Sequence, residues 1–282
     1  MSEENLLGDY LRARRELVQP ENVGLSATGA RRVKGLRREE VALLAGISAD
    51  YYLRLEQGRD HNPSPQVLES LARVLQLDRS AVDYLLSLVA AKPRSRRRPR
   101  REPVPIGVRQ LLDVIGLPAF VEGRYFDVLA ANRLAYALSP NLRVGQNRMR
   151  SVFLDPGEIA LYPEWELATA GLVAGFRQSV GTDVDDPGFV QLVGELSLAS
   201  ERFRRLWARH DVLAFEGAPV QLDHPQVGEL NLNREKLAVT GTSGQLLVVY
   251  HAQPGTSSAE KLALLASLAE SAPAPQPTRS VR

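Results

Sequence analysis

Residues 38–57, REEVALLAGISADYYLRLEQ, decide how this chain is read. Taken as two short helices joined by a turn, the twenty residues need apolar side chains at positions 4, 8, 10, 15 and 18. Val41, Ala45, Ile47, Tyr52 and Leu55 stand there. Position 5 faces the second helix closely and must be small; it is Ala42. Position 9 sits in the tight turn, where a left-handed backbone favours glycine; it is Gly46. Each constraint is weak alone, but all of them met together predict a helix-turn-helix. Ser48 is placed to cap the second helix, and Gly58 follows it as a terminating glycine.

A second helix of this kind enters the major groove of DNA with its N-terminal, outward residues at the base edges. Here these are Ser48, Ala49 and Asp50, with Arg54 one turn on. The Arg54 fork suits guanine O6 and N7 together, Ala49 suits a thymine methyl, and Asp50 suits a cytosine amine or the positioning of Arg54. Arg38 is expected on a phosphate. Arg31, Arg32, Lys34, Arg37, Arg59 and His61 are expected as further backbone or minor-groove contacts. The same segment also fits a plain helical pair in an interaction domain.

The residues around this core continue the helical pattern. Leu6, Leu7, Tyr10, Leu11 and Leu17 predict a first helix near 5–18, followed by a polar stretch from Gln19 to Gly35. Ser64 and Ser80 are expected to cap a fourth and a fifth helix. Residues 1–101 hold 19 Lys and Arg against 13 Asp and Glu; the rest of the chain holds 16 against 20. A basic part joined to an acidic part predicts different partners for the two. Between them, Lys92–Arg101 carries seven cations in ten residues with two prolines. Like-charge repulsion and proline make it an extended linker or a phosphate-tracking arm. The expected division is a DNA-binding domain over 1–91, the linker over 92–105, a second domain over 106–270, and a disordered tail over 271–282.

Residues 106–268 read as mixed α and β. Helices are predicted over 108–115, 132–138, 163–179, 189–197 and 200–209. The helix at 163–179 would turn Trp165, Leu167, Ala168, Leu172 and Phe176 to one face. Strands are predicted over 119–122, 125–130, 220–224, 229–233 and 246–251, with Glu122-Gly123-Arg124 as a tight hairpin turn. Aromatic residues lie among aliphatic ones at Phe120, Phe126, Phe153, Trp165, Phe176, Trp207 and Phe215, and most belong to a core. Polar residues near them in the sequence, namely Asn132, Arg150, Arg205, His210 and His224, are candidates to orient a bound small molecule. The candidate ligand residues are Phe126, Asn132, Arg150, Phe153, Trp165, Phe176, Trp207 and His210.

Residues 36–58, LRREEVALLAGISADYYLRLEQG, resemble the lambda-repressor-like (XRE) helix-turn-helix class. The wider stretch ARRVKGLRREEVALLAGISADYYLRLEQGRDHNPSPQVLESLARVL is similar to MmyB-like transcription regulators of actinobacteria. The resemblance continues in FDVLAAN (126–132), NRMRSVFLDP (147–156), LYPEWE (161–166), FRRLWARHDV (203–212), HPQVGEL (224–230) and LLVVYHAQPGT (246–256). One departure is Asn147-Arg148-Met149-Arg150, where an NLLR-type segment is commoner. The resemblance implies a five-helix all-α N-terminal domain and an α+β, PAS-like ligand-binding domain. With the aromatic–basic alternation of Phe203–Asp211, it implies a lipophilic, fatty-acid-like ligand.

Other classes find less support. There is no cysteine, which excludes disulfides, thiol catalysis, iron–sulfur clusters and Cys-ligated zinc. No stretch nears the roughly 18 apolar residues of a membrane span, and Met1–Leu7 has no signal-peptide character. GxSxG, Walker A, GxGxxG and HExxH are absent, and His61, His210, His224 and His251 lack metal-ligand spacing. Asp183, Asp185 and Asp186 adjoin Pro-Gly and read as a solvated loop. The expectation is a cytoplasmic, homodimeric, non-enzymatic regulator that binds double-stranded operator DNA, with no cofactor, metal or membrane partner. Two alternatives stay open: a constitutive DNA-binding module without a ligand, and a feedback enzyme carrying a DNA-binding domain.

Overall fold

The computed structural model describes residues 5–25, 33, 35–60, 62–89, 103–181, 184, 186–212 and 217–271. They fall into two compact units that do not follow chain order. Residues 1–98 group with 170–214, and residues 99–169 group with 215–282. The expected domains, divided at the basic linker, therefore do not coincide with the compact units. Residues 92–102 of the linker and the tail from 272 lie outside the described residues; Pro103 to Pro105 are described, and Val104 is buried.

The first unit opens with α1 (Leu6–Leu17), α2 (Arg38–Ala45), α3 (Ala49–Glu56), α4 (Pro65–Val74) and α5 (Arg79–Val89). Ser48 and Ser64 cap α3 and α4 as predicted, accepting from the backbone N–H groups of Tyr51 and Val67. Ser80 does not cap α5. Asp78 does, its carboxylate accepting from the Ala81 N–H at 2.8 Å, because an anion suits the positive end of a helix. Leu11, Val41, Tyr52, Leu55, Leu71 and Leu85 close a common core, and Tyr10 meets Tyr84 edge-on at 5.3 Å.

Three further helices follow: α6 (Trp165–Val180), α7 (Pro187–Ala199) and α8 (Glu201–Ala208). From residue 170 onward they belong to the first unit. Asp186 caps α7 and Ser200 caps α8. Leu167, predicted on the apolar face of α6, is 69% exposed. Phe176, Phe189 and Trp207 pack ring to ring within 6.0 Å, and Phe203 stacks on Trp207 at 5.7 Å. Val212 joins the same core as α1 to α5.

The second unit is an antiparallel sheet with helices, the α+β architecture that the sequence predicts. Its strands are β1 (Ala119–Glu122), β2 (Val128–Ala131), β3 (Ala218–His224), β4 (Gly228–Ala238) and β5 (Leu246–His251), in the order β2-β1-β5-β4-β3. Its helices are α9 (Ile106–Val114), α10 (Arg133–Leu138), α11 (Arg148–Leu154), α12 (Pro156–Ala160) and α13 (Ser257–Ser271). Of these, α11, α12 and α13 had no counterpart in the sequence reading. Side chains alternate across the sheet. Phe120, Leu230, Leu232, Val248 and Tyr250 pack with residues of α10 and α13, while Ala119, Val121, Leu247 and Val249 pack with Val104 and Leu112 on the other face.

The β1–β2 connection is longer than the predicted turn. It runs from Gly123 to Asp127, closed by Gly123 N–H to the Asp127 carbonyl and Phe126 N–H to the Gly123 carbonyl, both at 2.9 Å. Phe126 takes φ +64°, and β2 starts only at Val128. The reason is tertiary: Phe126 and Val128 are bonded by the backbone of residues 145–148, which competes with hairpin pairing.

Candidate DNA-reading surface and ligand site

The turn between α2 and α3 is built as the spacing requires. Gly46 holds φ +71°, and the Ile47 N–H returns to the Ala42 carbonyl at 3.0 Å. The positions predicted as core are buried or, for Ile47, packed against the core. Ser48, Ala49 and Asp50 are exposed. Arg54 is 44% exposed; it pairs with Asp50 one turn back, and its guanidinium lies 5.6 Å over the Tyr51 ring. Asp50 and Arg54 are thus paired in the DNA-free protein. Gly58 ends α3 at φ +65°, with the exposed Arg59 donating its N–H to the Arg54 carbonyl at 2.9 Å.

Arg38 is tied to the core. Its Nε donates to Glu56 Oε2 at 2.6 Å, while Arg15 Nε donates to Oε1 at 2.6 Å. Glu56 is fully buried, and its main chain also accepts from Asn5. Burial alone would raise the Glu56 pKa, but the two guanidinium groups overcome it and hold the carboxyl below its ordinary range. Arg38 remains 42% exposed, so it braces α2 against α3 and still reaches solvent. Arg37 precedes α2, and its N–H donates to Glu40 at 2.7 Å. Arg31, Arg32, Lys34, His61 and the run Arg94–Arg101 lie outside the described residues.

The candidate ligand residues separate into two groups. Phe126, Asn132, Arg150, Phe153 and Trp165 lie in the second unit; Phe176, Trp207 and His210 lie in the first. Asn132 has a structural task instead of the expected orienting one. Its Oδ1 accepts from the N–H groups of Ala119 and Ala135, and its Nδ2 donates to the Leu117 and Ile115 carbonyls. That uses its donors and acceptor sites in full. Arg150 is half-buried in the first turn of α11. Phe153 and Trp165 meet edge-on at 6.2 Å, and Trp165 Nε1 donates to the Val152 carbonyl at 2.9 Å. Phe126 lies beneath the Lys236 ammonium at 4.7 Å.

In the first unit, Trp207 and His210 surround Arg177. The Arg177 guanidinium lies 3.8 Å over the Trp207 ring, donates to the Trp207 carbonyl and to the Tyr84 hydroxyl, and contacts His210 Nδ1 at 3.2 Å. Burial first, then Arg177 and Arg14, pushes the His210 pKa down to about 3. The ring is therefore neutral, with Nδ1 the acceptor. Arg205 is exposed beside Glu201 at 3.7 Å. His224 Nδ1 accepts from the Gln226 N–H, so Nε2 donates to the Ala137 carbonyl at 2.9 Å; this histidine ties β3 to α10.

The sequence reading missed a charged cluster in the second unit. Glu122 is fully buried; Lys236 Nζ reaches its Oε1 at 2.7 Å, and Arg148 Nη1 stands 3.7 Å from its Oε2. Arg148 is placed by local geometry. Asn147 caps α11 and donates to the Tyr125 carbonyl and to Asp127, while the Arg148 N–H donates to the Phe126 carbonyl. No sequence signal separates Arg148 from Arg150, since both are single arginines on one short helix. Among the described residues, no group of three or more His, Asp or Glu is placed to hold a metal ion, and no helix is long and apolar enough to cross a membrane.

Two helices joined through a left-handed glycine, with a buried core and an exposed second-helix N-terminus, define the DNA-binding unit of a helix-turn-helix protein. Residues 6–85 match the family model of a helix-turn-helix domain, and residues 104–265 match that of the MmyB-like transcription regulator ligand binding domain. The chain belongs to the MmyB-like family, and the two domains together make it a ligand-responsive transcription regulator. A search of curated proteins gives no significant match. The segment 170–214 lies within the ligand-binding match yet groups with the DNA-binding helices.

Proposed function

We propose that the protein is a one-component regulator that binds a palindromic operator as a homodimer and releases or engages it when a small, lipophilic, fatty-acid-like metabolite binds. The observation that carries the DNA side of this reading is the α3 surface: Ser48, Ala49 and Asp50 exposed, with Arg54 poised beside Asp50. Arg54 reads a base, Ser48 to Asp50 read its neighbours, and Arg38, Arg37 and Arg59 contact phosphates, with Arg31, Arg32 and Lys34 alongside. A single helix of this size reads few base pairs, so two copies on half-sites about 34–36 Å apart supply the specificity.

Phe126, Phe153 and Trp165 offer apolar surface to the ligand from the second unit. Phe176, Trp207 and His210, which group with the DNA-binding helices, respond to it rather than enclose it. Both matched domains are regulatory, which favours a regulator over an enzyme, acting in the cytoplasm where the DNA is. Ligand control requires that the ligand prefer one state of the dimer; equal affinity for both shifts nothing.

The test is selection of bound sequences from random DNA, followed by titration of the selected complex with an organic extract of the producing cells. A palindromic motif whose occupancy changes with the extract supports the whole reading. A motif indifferent to the extract removes ligand control, and no enrichment at any salt concentration removes operator recognition.

A further inference from the structure

The helix α9 is apolar on two faces. Leu112 is buried and Val108 half-buried where they pack against Ala119, Val121, Leu247 and Val249 of the sheet. The opposite face has the same character and is open to solvent. Ile106 is 76% exposed, Val114 79% and Leu111 42%. Ile106, Gln110 and Val114 recur every four residues, so they form one stripe along the helix. Single apolar residues on a surface are ordinary. Three on the nine residues of one helix form a patch, and contiguous patches mark contact sites.

The stripe is flanked by residues that complement it about its own midpoint. Gly107 and Leu111 lie on one flank, Arg109 and Asp113 on the other, and all four are exposed. When a second copy of α9 is laid antiparallel about a two-fold axis beside Gln110, Ile106 faces Val114 of the other copy. Leu111 then enters the notch over Gly107, and Arg109 meets Asp113. Each pairing is centred within one residue of Gln110, so a single axis satisfies all of them. Nothing within the described residues requires a glycine at 107. Its backbone is helical, a Cβ there would meet nothing within 4 Å, and glycine weakens a helix. A partner of unrelated sequence does not need the patch to match itself. A two-fold contact does, because the same surface serves both subunits.

We propose that the outer face of α9 is the contact at which two copies of this chain meet, as an antiparallel helix pair with its two-fold axis at Gln110. The proposal rests on the reading of a homodimer and adds the surface and its symmetry. A pair of nine-residue helices covers less than the roughly 800 Å² per partner of a standard interface. The pair alone therefore gives a dimer that forms and dissociates with concentration, and paired operator half-sites hold it together.

The test uses the full chain, which has no cysteine. Gln110→Cys, next to the axis, should join two copies by a disulfide under copper–phenanthroline oxidation, seen as a dimer band on a non-reducing gel. Leu198→Cys, on α7 and 88% exposed, should not do so at the same protein concentration. Sedimentation over a concentration series should show a wild-type dimer. Val114→Glu should raise its dissociation constant about tenfold or more, because the contact would bury a charge. Asp113→Arg should weaken the dimer likewise, and adding Arg109→Asp should restore it, a recovery that a misfolded variant cannot give. A wild-type dimer that is unaffected by Val114→Glu and not cross-linked through residue 110 overturns the α9 surface and leaves the homodimer to another face. A wild type that is monomeric at every concentration and binds the operator as one copy overturns both.

Discussion

Arg14, in the third turn of α1, donates to the Asp211 carboxylate at 2.7 Å across 197 residues of sequence. Asp211 also meets Arg209 at 2.8 Å. Immediately beside it, Val212 enters the core shared by α1 to α5, and Arg177 of α6 bonds the Tyr84 hydroxyl of α5. A segment of the ligand-binding family is therefore fastened to the DNA-binding helices by an ion pair, a cationic hydrogen bond and an apolar anchor.

Removing one of those fastenings should loosen that segment. The Arg14–Asp211 pair is partly exposed, 19% and 29%, so its direct contribution is small, about 0.5–1 kcal/mol. Asp211→Ala should speed amide exchange over residues 203–212 and in α1 while leaving exchange in β1 and β5 unchanged. Unchanged exchange in α1 would show that the pair does not hold the segment.

Arg54 should read a base rather than a phosphate. Arg54→Ala is expected to weaken binding to the selected operator by about 1–3 kcal/mol and to relax sequence preference. Equal losses on operator and random DNA would refute this. The fold should hardly notice, because an exposed pair one helical turn apart contributes only about 0.3–0.5 kcal/mol.

Glu56 should matter more to the fold than either arginine it binds. Glu56→Gln leaves the buried Arg15 guanidinium without its counter-charge, a loss of about 3–5 kcal/mol by chemical denaturation. Arg38→Ala should cost far less, since Arg38 is half exposed and Arg15 still serves Glu56. The pH dependence follows from the lowered folded-state pKa. The Glu56 contribution is complete above the ordinary carboxylate range and is lost as pH falls through the lower folded value. Stability of the wild type should therefore decline on acidification more steeply than that of Glu56→Gln; parallel curves would contradict the ion-pair account.

The turn glycine gives a cleaner test of conformation alone. A Cβ at Gly46 would meet nothing within 4 Å, so its φ of +71° is the whole obstacle. Gly46→Ala should lower stability by about 1–2 kcal/mol, read from the shift in denaturation midpoint. No change would mean that the turn does not need its left-handed residue.

The helix-turn-helix was legible because its requirements are local. Val41, Ala45, Tyr52 and Leu55 recur at helical spacing, Gly46 marks the turn, and Ser48 supplies the cap, so twenty consecutive residues carry the whole specification. Most strands were legible for the same reason, since period-two alternation in 220–224 and 229–233 and the short apolar run of 246–251 are visible without neighbours. The cap of α5 shows the limit, because the expected Ser80 lies two residues past Asp78, the cap that the folded chain uses.

The ligand side was not legible in that way. Asn132 looked free to orient a ligand, yet four long-range or capping bonds consume it. Arg150 looked like the cation of the site, while Arg148, two residues away, is the one buried over Phe120 beside Glu122. Phe176, Trp207 and His210 sit in the ligand-binding match but group with the DNA-binding helices. The sequence alone settled most of the helices and strands, though not α11 to α13, and that one helix pair is built for DNA, because backbone periodicity and capping are short-range. Only the tertiary structure decided which charges are buried together and which unit holds residues 170–214. Burial and charge pairing depend on residues such as Glu122 and Lys236 or Arg14 and Asp211, which lie more than a hundred positions apart.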